Sequence, residues 1–334
     1  VEATEVAAVT VESTSPLDAH SITTERLELR PLTREEVEAA CRSEPLPQFH
    51  PEFPTPDAHD VLRAVQDSGE FFFTESRYSP MACVERSTGL IIGIANNRSI
   101  AWACAKAMDA AGATLGATWH TEKSRPHVEP LLDALGADIR RPLDVFEDAQ
   151  MQALFDAVAE RWGYLDFILH AVAYAPRQDL QGRVTDSSRE GFCQAMDASC
   201  HSFIRLARLA EPLMPHGGSL ITMSYLGGAE VVPHYGIMGP VKAALESATR
   251  YLAAELGPAG IRVNAVSPGP IPTRAASGLS NFDALIADSA ARAPMRGTLR
   301  IDDVGPLCAF LASDGARAMT GSTLYVDGGY HILN

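Results

Sequence analysis

The spacing of apolar and polar positions changes near residue 89. Upstream, Arg26-Leu27-Glu28-Leu29-Arg30 alternates in the manner of a half-buried strand, and Thr33 with Glu36 three residues on predicts the N-cap of a short helix. Pro45, Pro47, Pro51, Pro54 and Pro56 exclude regular structure until a second helix near 57–68. Phe71 to Ile92 then reads as two strands joined by a turn at Ser87-Thr88-Gly89. Residues 1–20 carry no periodic apolar face and read as a mobile tail. Downstream, strands are predicted at 90–95, 113–119, 137–140, 165–170, 218–223, 261–266 and 322–326. Helices fall between them at about 99–111, 124–135, 147–161, 188–213, 235–256 and 302–312. Strands that alternate with helices predict a parallel sheet covered on both faces. The expected organisation is a tail (1–20), an α+β fragment (21–88) and a doubly wound α/β domain (89–334).

Composition narrows the classes of partner. The chain has 334 residues, enough for two average domains or one large α/β domain with an extension, and it is 46% hydrophobic and 21% charged. No apolar run approaches the roughly 18 residues of a membrane span. Val1 to Glu5 lacks the basic start of a secretory leader, so none is expected. The six cysteines form no CxxC pair, so neither structural zinc nor a disulfide framework is expected, and a reducing cytoplasm is the simplest location. A net charge of −15 argues against nucleic acid and against an anionic membrane. Residues 1–88 hold 7 Arg, no Lys and 17 acids, hence two thirds of that charge, which again sets a boundary near residue 88. Only three lysines occur, Lys106, Lys123 and Lys242.

Candidate chemistry begins at the first strand-to-helix turn, Gly93-Ile-Ala-Asn-Asn-Arg-Ser99-Ile100-Ala101. A glycine at a strand end lets backbone approach a diphosphate, and the next helix N-terminus offers its N–H groups, as in Rossmann folds. The turn is not GxGxxG, and Ser99 reads equally as an ordinary N-cap. His120, after the second strand, is either a ribose contact or a solvent-facing loop residue. Asp144-Val145, after the third, either receives an adenine or supplies a helix cap through Asp144. Tyr235 and Lys242 are seven residues apart, a helical rotation of about 700° that would put both on one face. An ammonium there would lower the phenol's pKa from its usual value of about 10. The plainer reading is a half-buried tyrosine and a solvated lysine.

Several motifs run in order along the second part of the chain. They are Gly93-x5-Ser99-Ile100-Ala101, His170-x5-Pro176, Ser224-Tyr225-Leu226-Gly227, Tyr235-x6-Lys242, the stretch Gly260 to Gly278 and the ending Thr320-Gly321 with Val326-Asp327-Gly328-Gly329. On these, residues 89–334 closely resemble the enoyl-[acyl-carrier-protein] reductases of the short-chain dehydrogenase/reductase superfamily. The resemblance implies NADH-dependent reduction of trans-2-enoyl thioesters on acyl carrier protein in fatty acid biosynthesis, by a cytoplasmic homotetramer, with NADPH left open. It implies catalytic roles for Tyr225, Tyr235 and Lys242, and cofactor contacts from Gly93, Ser99, Ile100, His120, Asp144, Val145, Val172, Lys242, Ile271, Pro272, Thr273, Arg274 and Ala275. The acyl slot would involve Ala175, Tyr225, Met238, Ala276 and Phe282, and no metal is implied. Five positions depart from the family: Ala173 stands where glycine is common and would crowd the slot, Ser280, Asp283 and Ala284 stand where basic residues are common, and His120 is unusual.

Residues 22–92 resemble the N-terminal half of a GCN5-related N-acetyltransferase, through Thr23 to Thr33 and the hairpin Cys83 to Gly93. The loop that would bind a coenzyme A diphosphate is missing, so acetyl transfer is disfavoured. Leu90 to Gly93 cannot serve both folds, and the dinucleotide fold needs it more, which places a fusion near Thr88-Gly89 and predicts that a chain starting there stays active. A short-chain carbonyl reductase is the alternative within the same fold, but it would carry its lysine at the position of Gly239. An inactive fusion that only binds a partner is the third reading.

Overall fold

A computed structural model describes residues 84, 87–273 and 282–333, together with the backbone of strands β1 (Val6–Thr10) and β2 (Glu28–Leu32). The chain divides into two compact units, Val1–Arg77 and Tyr78–Asn334. In the first, β1 pairs antiparallel with β2, Val6 opposite Leu32 and Thr10 opposite Glu28. The stretch read as a tail thus contains a strand, whose β-branched Val6, Val9 and Thr10 favour extended backbone. The predicted helices after Thr33 and at 57–68, and the first arm of the acetyltransferase-like hairpin, lie outside the described residues.

The second unit is built on seven parallel strands: β3 (Thr88–Ile92), β4 (Thr114–Trp119), β5 (Ile139–Pro142), β6 (Phe167–His170), β7 (Gly218–Met223), β8 (Ile261–Pro268) and β9 (Thr323–Val326). Their order is β5-β4-β3-β6-β7-β8-β9, so the winding reverses between β3 and β6. That reversal opens a crevice at the carboxyl ends of these two strands. Successive side chains face opposite sides of the sheet, and the two cores follow that alternation. Ile91, Phe167 and Ile221 pack with α1 (Ile100–Ala110), α2 (Arg125–Ala134) and α9 (Gly305–Ala312). Leu90, Ile168 and Leu220 pack with α3 (Asp148–Arg161), α6 (Ser202–Ala210) and α7 (Met238–Leu256). A third, smaller cluster gathers Leu226, Tyr235, Met238 and Val241 around the loop that leads into α7.

Where boundaries differ from the expected ones, backbone geometry gives the reason. β3 ends at Ile92 because Gly93 adopts φ +104°. The helix expected from 235 begins at Met238, because His234 (φ 64°) and Gly236 (φ 56°) take left-handed conformations. The long helix expected over 188–213 is α5 (Arg189–Met196), a π-helical turn Asp197–His201, then α6. A single helical turn α4 (Arg177–Leu180) and α8 (Phe282–Arg292) complete the described helices.

The boundary drawn at residue 88 falls inside the second unit. Val84 is buried in the core, and its N–H donates to the Ala111 carbonyl at 3.4 Å. Thr88 opens β3, its N–H donating to Asp166 Oδ2 at 2.7 Å and its hydroxyl to the Tyr164 carbonyl at 3.2 Å. β3 pairs only in parallel, with β4 and β6, so Leu90 to Ile92 is not the arm of an antiparallel hairpin. A chain beginning at Gly89 should therefore be less stable than one beginning at Tyr78, by about 2–4 kcal/mol for the lost valine burial and Thr88 hydrogen bonds. Urea unfolding of the two shortened chains measures this, and equal midpoints would contradict it.

Candidate active site

A cavity of about 480 Å³ occupies the crevice at the carboxyl ends of the strands. One arm of it has the features of a nucleotide cradle. Gly93 leaves β3 with bare backbone, where a Cβ would lie 2.7 Å from the Ala171 carbonyl oxygen. Ser99 is the N-cap of α1, accepting from the Trp102 N–H at 3.3 Å while its own hydroxyl donates to the Asn96 carbonyl at 2.7 Å. Ser99, Ile100 and Ala101 line the cavity, and the first turn of α1 carries no acid that would repel an anion. Ser99 is thus the N-cap of a helix whose positive end faces the cavity.

Farther along this arm, His120 is exposed on the wall with Nε2 3.5 Å from Asp144 Oδ2. Asp144 does not cap α3, whose N-cap is Glu147. It instead closes a turn, its Oδ1 accepting from the Phe146 N–H at 3.0 Å. Val145, Val172, Ile271 and Thr273 also line the cavity. Pro272 is exposed and does not, because Ile271 and Thr273 on either side of it turn inward. Arg274, Ala275 and Ala276 lie outside the described residues. Phe146 and Tyr174, which the sequence did not single out, meet edge to face across this part of the wall at 6.0 Å. Gly93, the α1 terminus and the apolar Val145 and Ile271 together suit a dinucleotide: bare backbone for a diphosphate and an apolar wall for a ring.

The other arm holds the candidate catalytic side chains. Tyr225 follows β7 directly, Tyr235 sits in the turn before α7, and their rings lie 4.7 Å apart at 53°. Lys242, one turn into α7, is only 4% exposed, and its Nζ donates to the Met223 carbonyl at 2.6 Å. All three line the cavity, as do Ala175, Met238 and Phe282 of the expected acyl slot. Tyr235 does not reach the site on the helical face inferred from its spacing, since it precedes the helix. The left-handed turn at His234 and Gly236 carries it there, and Gly227 makes room, because a Cβ on it would stand 2.3 Å from the ring. Ala173 stands exposed on the wall.

The electrostatics revise one expectation. Burial raises the Tyr235 phenol well above its usual pKa, and neighbouring Tyr225 and Glu246 raise it further. Tyr235 therefore presents a firmly protonated hydroxyl, not an activated acid. Lys242 is itself pulled down to about 8 by burial, with Cys200 and Glu246 opposing. Behind it, His170 ends β6 fully buried, Nδ1 2.9 Å from Thr222 Oγ1 and Nε2 2.9 Å from Ser202 Oγ. Ser202 spends its proton on the Ala198 carbonyl at 2.7 Å, so the imidazole carries its hydrogen on Nε2 and accepts at Nδ1. Among the described residues no cluster of metal ligands occurs, and no helix is long and apolar enough to cross a membrane.

A family model described as enoyl-(acyl carrier protein) reductase matches residues 93–331. The enoyl-[acyl-carrier-protein] reductase [NADH] 1 of Rhizobium meliloti is 45% identical over 245 residues, covering 73% of this chain and 90% of that protein. The NADH-named reductase of Nostoc sp. is 47% identical, covering 73% of this chain and 96% of that one. Among solved structures, the reductase of Anaplasma phagocytophilum in complex with NAD superposes with a TM-score of 0.72 at 42% identity, covering 75% of this chain and 94% of that one. The Bacillus cereus reductase with NADP+ and an indole naphthyridinone gives 0.74 at 41%, covering 76% and 100%.

Buried His170 gives this site a pH signature. Burial, and then the charge on Lys242, lower its pKa from the ordinary 6.5 to about 3. The unfolded chain takes up a proton below about 6.5 and the folded one does not, so this contribution to stability is whole above 6.5 and is lost as pH falls toward 3. Between pH 6.5 and 5 the wild-type protein should lose about 2 kcal/mol more stability than His170→Gln, at roughly 1.4 kcal/mol per pH unit. Urea unfolding at the two pH values checks the difference, and parallel losses would contradict it.

Proposed function

The chain belongs to the enoyl-[acyl-carrier-protein] reductase family, and from that membership we propose that it reduces the trans-2 double bond of enoyl thioesters borne by acyl carrier protein, with NADH as reductant. The observation that carries the proposal is the meeting of Tyr225, Tyr235 and Lys242 in one cavity with a nucleotide cradle. Gly239 adds support against a carbonyl reductase. A Cβ there would lie 3.1 Å from the Gly227 carbonyl, so the position that would hold that enzyme's lysine is packed against backbone.

Bound nicotinamide would supply a hydride to C3 of the enoyl group, and a proton taken from solvent would complete the reduction at C2. The protein's part is to meet the negative charge that grows on the thioester oxygen. Tyr235 is suited to this as a protonated donor in a dry site, where a hydrogen bond to a developing oxyanion is strong and needs no reorganisation. Tyr225 borders the thioester and limits the tilt of the Tyr235 ring. Lys242 holds the ribose hydroxyls beside the nicotinamide, its ammonium already directed toward the end of β7 by the Met223 carbonyl. The cradle formed by Gly93 and α1 takes the diphosphate, and Val145, Val172 and Ile271 flank the rings. NADH over NADPH is supported by the Asp144 carboxylate beside His120, which would repel a 2′-phosphate. Residues Arg274 to Ala276 keep their proposed contacts, and a cytoplasmic tetramer is proposed on the family resemblance alone.

NADH oxidation followed at 340 nm with a crotonyl thioester tests the activity, and an inert protein would contradict it. Tyr235→Phe should lower kcat by about 100-fold while NADH still binds, since the lost hydroxyl acts on the reacting oxygen. The pH dependence of cofactor binding probes Lys242 separately. Its charge is lost as pH rises through about 8, so NADH should bind progressively more weakly above that pH. Fluorescence titrations from pH 6 to 9.5 would follow this, and Lys242→Met should bind weakly throughout with no such dependence. A wild-type affinity that stays constant up to pH 9.5 would contradict the assignment.

A further inference from the structure

α7 sends two buried charged side chains to the end of β7. Lys242 Nζ donates to the Met223 carbonyl at 2.6 Å, and the Ser224 hydroxyl donates to Glu246 Oε1 at 2.5 Å. Lys242 and Glu246 are four residues apart and share one face of the helix. They therefore hold consecutive residues of the segment that delivers Tyr225. Beyond Tyr225 the chain turns back at once, with the Gly228 N–H donating to the Tyr225 carbonyl at 2.8 Å. This turn sits directly on α7: a Cβ on Gly228 would lie 2.8 Å from Glu246 Oε1 and 3.0 Å from the Lys242 carbonyl carbon.

Glu246 is 8% exposed and Ser224 5%, so neither polar group has bulk water as a substitute partner. We propose that Glu246 is a positioning residue for enoyl reduction, its carboxylate taking the Ser224 hydroxyl and so fixing the Tyr225 ring against Tyr235 while Lys242 holds the preceding carbonyl. The proposal rests on the enoyl reductase reading. An apolar side chain of similar size would fill the same space and leave the Ser224 hydroxyl without its acceptor, freeing the turn to shift. Displacements of about an ångström at a catalytic group can cost up to a hundredfold in rate. Burial raises the Glu246 carboxyl's pKa, while Ser224, Arg250 and Lys242 oppose the rise. The same charge helps keep Lys242 an ammonium.

Three readouts test this on the full chain. Glu246→Leu should lower kcat about 10- to 100-fold, with NADH affinity at pH 7 changed no more than about twofold. Glu246→Gln keeps an acceptor oxygen and should restore kcat to within a few-fold. In the cofactor-free protein, amide hydrogen exchange at Gly228, whose N–H closes the turn, should speed up at least tenfold in Glu246→Leu and little in Glu246→Gln. Ser224→Ala removes the other partner and should cost as much as Glu246→Leu, and the double variant should be no worse than either alone. Additive losses, an unchanged kcat in Glu246→Leu, or a Gln variant as damaged as the Leu variant would overturn the proposal while wild-type turnover stands. Absence of wild-type turnover would overturn the enoyl reductase reading and the proposal with it.

Discussion

An ammonium group is held almost out of water at the end of the central strands, and the site is arranged around it. Lys242 donates a hydrogen bond to the Met223 carbonyl, and burial works to lower its pKa. Cys200 and Glu246 act against that, keeping the lysine's pKa at about 8 instead of lower. The same charge helps hold His170 neutral, so that imidazole can serve as a fixed hydrogen-bond bridge between Thr222 on β7 and Ser202 on α6. One charge thus adds to burial in biasing the protonation of its neighbours, and through Met223 it also holds the strand end that leads to Tyr225.

The fold makes such burial feasible. A parallel sheet covered on both faces brings the ends of β3, β6, β7 and β8 to one rim, away from solvent, with the crevice where winding reverses. Glycines set how closely the pieces approach. Gly93 opens the cradle, Gly227 admits the Tyr235 ring, and Gly228 lets the Tyr225 turn rest on α7. The π-helical turn at Asp197–His201 contributes from the other side: Ser199 holds Tyr174 by both its N–H (2.9 Å) and its carbonyl (3.1 Å). The Tyr174 part of the cavity wall is therefore tied to this helical turn.

The strands of the large unit were legible because buried parallel strands read as short apolar runs separated by helical periodicity. Tyr225, Tyr235 and Lys242 were legible as a motif, yet the helical geometry offered for the last two was wrong, since Tyr235 precedes the helix, in a turn where His234 and Gly236 on either side of it are left-handed. The lowered phenol pKa was wrong for a different reason. Desolvation depends on burial, and one-dimensional spacing does not carry that information. Ser224 was read as part of a motif but given no role, and Glu246, one turn after Lys242, was missed. Their contact depends on the register of α7 over β7, a tertiary fact. The strand at Val6–Thr10 was missed because five residues give too short a pattern to separate from a polar tail.

The most direct test of the buried ammonium is an NMR titration of the protein with 13C-labelled lysine side chains. With only three lysines in the chain, each resonance can be assigned by substitution. One resonance, absent from Lys242→Met, should titrate near pH 8 in the cofactor-free protein. A Lys242 resonance that titrates at the ordinary lysine value of about 10.4 would mean that the ammonium is solvated, and would contradict the account.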